Sequence, residues 1–274
     1  MTTIEKSERP TAPKGSLARR IVSALVLIPA AIAALYAGGA VFAATVSFAS
    51  VLMVFEWTRM VEEREFSPAF YALALAAAAA LSAAAAGHYP WAYGACGAGA
   101  LAAGMMSRRR RRWSAFAGAY ILAPSVALIW LRADPESGRS LVLMLLLIVW
   151  GADTGGYVAG RLVGGPKLHP AVSPTKTWAG AIGGVVMGGL AGLAASLFIF
   201  QSSGTGFLTL VGAILGLASI LGDTAESAFK RIFGVKDASG FIPGHGGVLD
   251  RLDGMIFATT AMALVLYLHI VLGR

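Results

Sequence analysis

Long apolar runs separated by short polar connections make up most of this chain of 274 residues. A membrane-spanning helix needs about 20 mostly apolar residues. The pattern therefore predicts an all-α, polytopic integral membrane protein with about nine transmembrane helices. The predicted spans are 21–37, 39–57, 67–87, 91–106, 114–131, 138–160, 177–201, 206–224 and 252–272.

The composition supports this interpretation, since 57% of the residues are apolar, 13% are charged and the mean hydropathy is +0.71. A soluble domain has more charged residues than this. Residues 1–20 have no apolar period, so we predict a disordered cytoplasmic tail followed by a single membrane domain, 21–274. Residues 21–131 are rich in Ala and Gly and are predicted to be scaffold helices, whose small residues also suit a homodimer.

The basic residues predict the orientation of the chain. With nine spans, all but three of the 22 lysines and arginines fall on one side, and Arg132, Arg139 and Arg274 fall on the other. Basic connections face the cytoplasm. This predicts a cytoplasmic N-terminus, an external C-terminus and an active site facing the cytoplasm, in a bacterial inner membrane.

The net charge of +8 does not point to nucleic acid. The basic residues lie next to the spans, where they are attracted by anionic membrane lipids. The run Arg108–Arg112 is interpreted in the same way, as a topology determinant rather than a binding patch. The single cysteine, Cys96, has no partner for a disulfide and is interpreted as a packing residue.

The region from residue 138 onward is predicted to be catalytic, because polar residues now occur within or beside the apolar runs. Asp153 stands in L-L-L-I-V-W-G-A-D-T-G-G-Y, inside a predicted span. A carboxylate there costs about 2.5–3.5 kcal/mol on insertion scales, so it needs a partner or water. Two interpretations stay open: an ion pair with Arg161, and a role in binding metal or substrate.

The connection G-G-P-K-L-H-P-A-V-S-P-T-K-T-W precedes the seventh span. Pro174 after Ser173, followed by Thr175 and Lys176, is typical of a helix N-terminus, where free N–H groups attract anions. Ser173 and Lys176 are therefore predicted to bind phosphate. The alternative is that Ser173 or Thr175 only caps the helix and that Lys176 faces the membrane surface.

The segment L-G-D-T-A-E-S-A-F-K-R places Asp223, Ser227 and the pair Lys230/Arg231 on one helical face, at i, i+4 and i+7/i+8. Carboxylate and hydroxyl oxygens are ligands that Mg²⁺ prefers, together with water and substrate phosphates. Glu226 either joins this group or pairs with Lys230.

The segment P-G-H-G-G-V-L-D-R-L-D-G begins the last span, and Asp250 and Asp253 share a face in it. If Asp223 and Asp250 meet across two helices, they form a metal site of the kind used in phosphoryl transfer.

The glycines of the same segment allow backbone N–H groups to approach an anion, which makes Gly246 and Gly247 candidates for substrate binding. His245 either contacts a phosphate or is a turn residue bonded to backbone.

The block S-A-F-K-R-x4-K-D-x-S-x2-I-P-G-H-G-G-V-L-D-R-L-D resembles the signature of the CDP-diacylglycerol synthases, also called phosphatidate cytidylyltransferases. The segments D-T-G-G-Y and S-P-T-K-T-W are similar to that family's in the same order. One position departs from the pattern: Ala179 follows the Thr-Trp pair, where the family commonly has a polar residue.

The resemblance implies the reaction CTP + phosphatidate → CDP-diacylglycerol + pyrophosphate in phospholipid biosynthesis, with membrane lipids around the enzyme. It implies Mg²⁺, with K⁺ as a second cation, held by Asp223 and Asp250 near the Ser227 hydroxyl. The lipid phosphate would attack the α-phosphorus of CTP in line. The bases assigned to phosphate are Lys176, Lys230, Arg231, Lys236 and Arg251.

Two rival functions are less consistent with the sequence. A CDP-alcohol phosphatidyltransferase would carry D-x2-D-G-x2-A-R, but Phe257-Ala258 replaces Ala-Arg after Asp250 and Asp253. A transporter would place polar, interrupted helices in both halves near the membrane midplane. Here the polar residues cluster in one half and at one face.

Overall fold

The computed structural model describes residues 15–201, 203–242 and 246–273. The described chain folds almost entirely into α-helices, as the hydropathy pattern predicts. The helices are α1 (Gly15–Ala37), α2 (Gly39–Glu62), α3 (Pro68–Ala85), α4 (Tyr89–Met106), α5 (Arg111–Ala117), α6 (Ala123–Ala133), α7 (Gly138–Leu162), α8 (Trp178–Ala195), α9 (Thr205–Ile232) and α10 (Leu249–Leu272). An antiparallel hairpin of β1 (Lys167–His169) and β2 (Ser173–Thr177) joins α7 to α8.

Seven helical segments are long and apolar enough to cross a membrane, by length and composition, within the described residues. They are α2, α3, the continuous segment Arg111–Ala133, α7, the segment Trp178–Phe200, α9 and α10. The other two predicted spans coincide with α1, which has a shorter apolar stretch at Leu25–Ala37, and with α4. The all-α fold is therefore confirmed, with seven candidate membrane spans, and nine crossings stay a prediction.

The predicted tail differs from the structure at one end. Residues 15–20 belong to α1, so the helix begins six residues before the predicted apolar run 21–37. Residues 1–14, on which the rest of that prediction falls, lie outside the described residues.

Local sequence explains two features of the helices: the start of α3 and a π-helical turn before α6. α3 begins after Ser67, whose hydroxyl accepts the N–H of Phe70 at 3.2 Å, with Pro68 at the first helical position. A π-helical turn, Gly118–Leu122, lies between α5 and α6, just before Pro124. Proline has no N–H and its ring displaces the carbonyl one turn back, and the wider π turn accommodates both effects without ending the helix.

The helices α7, α8, α9 and α10 pack side by side in chain order, and glycines allow the close approach of α8 to α9. A Cβ atom on Gly212 would lie 2.3 Å from the carbonyl oxygen of Gly188, and one on Gly188 would lie 2.7 Å from that of Gly212. Any side chain at these two positions would therefore collide with the neighbouring helix, and glycine lets the two backbones approach closely.

We expect Gly212→Ala to destabilise the protein, because the added methyl group must push α8 away from α9. The cost should be about 1–3 kcal/mol, the usual range for overpacking. The measurement is thermal unfolding of the protein in detergent. Gly206→Ala is the matched control on the same helix, since a Cβ there meets no atom within 4 Å; equal destabilisation by both changes would contradict the close-contact explanation.

An aromatic cluster joins the N-terminal helices to α9. Trp57 of α2 is fully buried and its indole N–H donates to the carbonyl oxygen of Trp113 at 2.8 Å. The rings of Phe229 and Phe233 pack edge-on against Trp57, at centroid distances of 5.3 and 5.8 Å. Burial of such large rings is strongly stabilising. The contacts of α2 therefore help to fix the end of α9 that carries Lys230 and the residues around it.

Candidate active site

A cavity of about 820 Å³ lies among α7, the hairpin, α8, α9 and the start of α10. Its walls combine five aspartates with four bases and several hydroxyl groups. The polar and charged lining residues are Asp153, Tyr157, Arg161, Ser173, Thr175, Lys176, Thr177, Asp223, Ser227, Lys230, Asp237, Asp250, Arg251 and Asp253. Four motif regions that are separate in the sequence thus line one cavity.

The hairpin brings Lys176 to α9. The Lys176 ammonium lies 2.9 Å from Oδ2 of Asp223 and donates to Oγ1 of Thr224 at 3.2 Å. The predicted helix start at Pro174 is wrong, because Ser173–Thr177 pairs with β1 as strand β2. α8 begins at Trp178 instead, and the Thr177 hydroxyl caps it by accepting the N–H of Gly180 at 3.1 Å.

Lys230 lies between two carboxylates. Its ammonium is 2.7 Å from Oδ1 of Asp250 and 2.5 Å from Oε2 of Glu226. Glu226 is 1% exposed and Asp250 is 6% exposed at the side chain. Of the two roles open for Glu226, the structure shows the pair with Lys230. Asp223, Ser227 and Lys230 line the cavity together, as their helical spacing predicts.

Asp250 also organises the loop before α10. Its Oδ2 accepts the N–H of Gly247 at 2.8 Å and that of Ala238 at 3.1 Å. The N–H of Gly246 donates to the carbonyl oxygen of Ile242 at 3.2 Å. The backbone donors of both glycines are therefore used inside the protein, and their role in binding substrate stays a prediction. His245 lies outside the described residues.

Carboxylates from three helices line the same cavity: Asp153 of α7, Asp223 of α9 and Asp253 of α10. Among the described residues, Asp153 and Arg161 do not form the alternative ion pair, and Arg161 donates to the Tyr157 hydroxyl at 2.8 Å. A cation bound among these carboxylates would offset their negative charge.

The carboxylates suit Mg²⁺ without forming a complete protein cage. Within the described part of the chain, no group of three or more His, Cys, Asp or Glu residues is arranged to hold a metal by itself. Mg²⁺ is commonly bound by one or two carboxylates, with water and substrate phosphates completing its shell. The oxygen donors of Asp223, Asp250 and Asp253, which line the same cavity, fit that requirement.

Several predicted site residues lie away from the cavity. The Arg231 side chain is exposed and its Nε donates to the carbonyl oxygen of Val172 at 3.4 Å, and Lys236 is exposed on the following loop. Neither lines the cavity, whereas Arg251 does. The roles of Arg231 and Lys236 in binding phosphate stay predictions.

Sequence reasoning missed one buried residue next to the site. Glu56 of α2 is fully buried and accepts hydrogen bonds from the loop that leads into α10. A carboxylate within a predicted span, 39–57, is costly, so its position in the sequence carried a signal. Its partners could not be read from the sequence, because they are more than 180 residues away.

The fold and the cavity together define an all-α protein with seven candidate membrane spans in its described residues and a polar, highly charged cavity among its helices. Comparison with known proteins identifies its family. The chain belongs to the cytidylyltransferase family, whose sequence model matches residues 18–269. This confirms the resemblance inferred from the motifs.

Three similar proteins share the name phosphatidate cytidylyltransferase. The chain is 36% identical over 270 residues to the phosphatidate cytidylyltransferase of Pseudomonas aeruginosa, covering 92% of this chain and 97% of that protein. It is 41% identical over 158 residues to that of Brucella suis and 47% identical over 133 residues to that of Haemophilus influenzae. These matches cover 58% and 46% of this chain, and 57% and 45% of the two relatives. The chain thus matches little more than half the length of the Brucella protein.

Proposed function

We propose that this protein is a phosphatidate cytidylyltransferase that converts CTP and phosphatidate to CDP-diacylglycerol and pyrophosphate. The observation that carries the proposal is that aspartates, lysines and hydroxyl groups from α7, the hairpin, α9 and α10 converge on one cavity. The relatives with this name, one of them matching over nearly the whole chain, support it.

The reaction needs no nucleophile from the protein. A phosphate oxygen of phosphatidate forms a bond to the α-phosphorus of CTP. The bond from that phosphorus to the oxygen bridging to the β-phosphorus breaks, and pyrophosphate leaves. The protein's contribution is to position the two phosphates in line and to stabilise the charge.

Lys176 and Lys230 are proposed to bind phosphate oxygens. An ammonium group has three N–H donors, and each lysine has two polar partners among the residues that the structure describes. One donor in each therefore stays available to a phosphate. Arg251 and the Ser227 and Ser173 hydroxyl groups line the same cavity and are proposed to assist them.

The charge balance of the cavity supports a requirement for Mg²⁺. Its five aspartates outnumber its four bases, while both substrates are anions. We propose that Asp223 and Asp250 hold Mg²⁺, with Asp253 and Asp153 as the additional carboxylates, and that K⁺ is a second cation. A bound Mg²⁺ neutralises phosphate charge and orients the reacting groups.

We further propose that the cavity faces the cytoplasm of a bacterial inner membrane. Arg109 and Arg110 pair with Glu63 between α2 and α3, and the Arg110 guanidinium lies 5.1 Å above the Phe233 ring. These basic connections therefore share one end of the protein with the cavity. At the other end, Arg132 donates to the carbonyl oxygen of Leu35 at 2.9 Å.

Cysteine labelling tests this orientation. In a Cys96→Ala background, we expect Lys236→Cys to react with an impermeant maleimide only from the cytoplasmic side, and Glu136→Cys only from the outside. The reverse pattern would contradict the proposed orientation.

The catalytic proposal is tested with purified protein in detergent, CTP and phosphatidate. We expect CDP-lipid and pyrophosphate to form in equal amounts, and only with Mg²⁺. Absence of turnover with CTP and with other nucleoside triphosphates, in protein shown to be folded, would contradict the proposal.

A further inference from the structure

Glu56 is a buried carboxylate from the scaffold half that contacts the loop leading into α10. It lies in α2, fully buried. Its Oε1 accepts the N–H of Val248 at 2.9 Å and the hydroxyl of Ser239, and its Oε2 accepts the N–H of Leu249 at 2.7 Å. Both carboxylate oxygens are thus used by one short stretch of chain.

These bonds supply a helix cap from a different helix. The first N–H groups of any α-helix have no partner within it, and a nearby side chain usually accepts them. Val248, at the N-cap position of α10, makes no side-chain cap hydrogen bond of its own. Glu56 supplies the acceptors instead, and its negative charge is favourable at the positive end of the helix dipole.

The capped turn is the one that carries Asp250. The carboxylate of Asp250 accepts the N–H of Gly247 at 2.8 Å, and Glu56 accepts the next two N–H groups along the chain. A Cβ atom on Gly247 would lie 2.7 Å from Oε1 of Glu56, so the turn packs directly against this carboxylate. Two acidic groups therefore hold three successive backbone N–H groups.

We propose that Glu56 is a positioning residue for the cavity: it holds the start of α10 so that Asp250, Arg251 and Asp253 face the substrates. It acts through the backbone of Val248 and Leu249 and lines no part of the cavity. This role rests on the proposed cytidylyltransferase function.

The first test is Glu56→Gln, which keeps the length of the side chain but replaces one acceptor oxygen with a donor. That donor then faces an N–H or hydroxyl group, so the turn must shift. We expect kcat to fall roughly 100-fold, the cost of a displacement of about 1 Å at a reacting centre. We also expect faster amide exchange at residues 246–250, measured by hydrogen–deuterium exchange.

Glu62→Gln is the matched control. Glu62 lies on the same helix and accepts hydroxyl groups from Ser107 at 2.5 Å and Ser114 at 2.6 Å, far in the chain from the α10 turn. We expect this variant to keep the kcat of the unsubstituted protein and its exchange at residues 246–250. If Glu56→Gln does not fold, Ser239→Ala is the milder variant to use, because it removes only one of the three hydrogen bonds to Glu56. We expect it to cause an intermediate loss of kcat.

The outcomes separate this role from the proposed function. If the unsubstituted protein turns over CTP but Glu56→Gln or Ser239→Ala keeps full kcat, the positioning role is overturned. It is also overturned if Glu62→Gln lowers kcat equally, since general packing of α2 then explains the effect. If the unsubstituted protein does not turn over CTP, the proposed function fails, while amide exchange at residues 246–250 still shows whether Glu56 holds the turn.

Discussion

Asp223→Asn is expected to lower the rate of CTP-dependent CDP-lipid formation by roughly 10³-fold or more, because it removes a charge that stabilises bound cation and reacting phosphates. Asp223 forms an ion pair with Lys176 and lines the cavity together with four other aspartates. Asparagine keeps the shape of the side chain, so membrane insertion and folding should be retained. The measurement is the initial rate as a function of Mg²⁺ concentration.

The control for this change is Asp134→Asn. Asp134 lies between α6 and α7, outside the cavity, where its carboxylate accepts the N–H of Ser137 at 2.7 Å. We expect this variant to keep the unsubstituted rate. An Asp223→Asn protein that retains its rate and its Mg²⁺ dependence would show that Asp223 does not hold the metal.

Lys230→Met is expected to affect both stability and activity. Lys230 is the base between Glu226 and Asp250, and the side chains of these three residues are 14%, 1% and 6% exposed. Removing one partner of a buried ion pair leaves uncompensated charge and typically costs about 3–5 kcal/mol. We expect a lower unfolding temperature in detergent and loss of CDP-lipid formation.

A double variant separates the two effects. Adding Glu226→Gln to Lys230→Met removes one of the two buried charges, so the double variant should recover part of the lost stability. It should not recover activity, because the ammonium group that is proposed to bind phosphate is still missing. Recovery of activity along with stability would contradict a direct role for Lys230 in the reaction.

The helices could be predicted from the sequence because each one depends on the hydropathy of its own segment and not on residues far away in the chain. Each of the nine apolar runs coincides with a helical segment, since an apolar run of this length in a membrane must satisfy its own backbone. The hairpin could not be predicted in this way. Ser173 and Pro174 have the local pattern of a helix start, and only pairing with residues 167–169 makes them part of a strand.

The same difference between local and distant contacts applies to the candidate site. Asp223, Ser227 and Lys230 could be grouped from their spacing on one helix, and all three line the cavity. The ion pair of Lys230 with Asp250 joins two helices, and the sequence pattern does not predict it; that pattern raises only a meeting of Asp223 with Asp250, as the condition for a metal site. The contacts of Glu56 with Val248 and Leu249 span more than 190 residues, and neither spacing nor composition predicts such a pair.

The central claim is that the cytidylyl group of CTP is transferred to the lipid phosphate. The most direct test supplies the purified protein with phosphatidate, Mg²⁺ and CTP labelled with radioactive phosphorus at either the α or the γ position. We predict that the α label appears in the lipid product and that the γ label appears only in pyrophosphate. A lipid labelled from the γ position would show phosphoryl transfer instead, and a lipid labelled from neither position would contradict the proposed reaction.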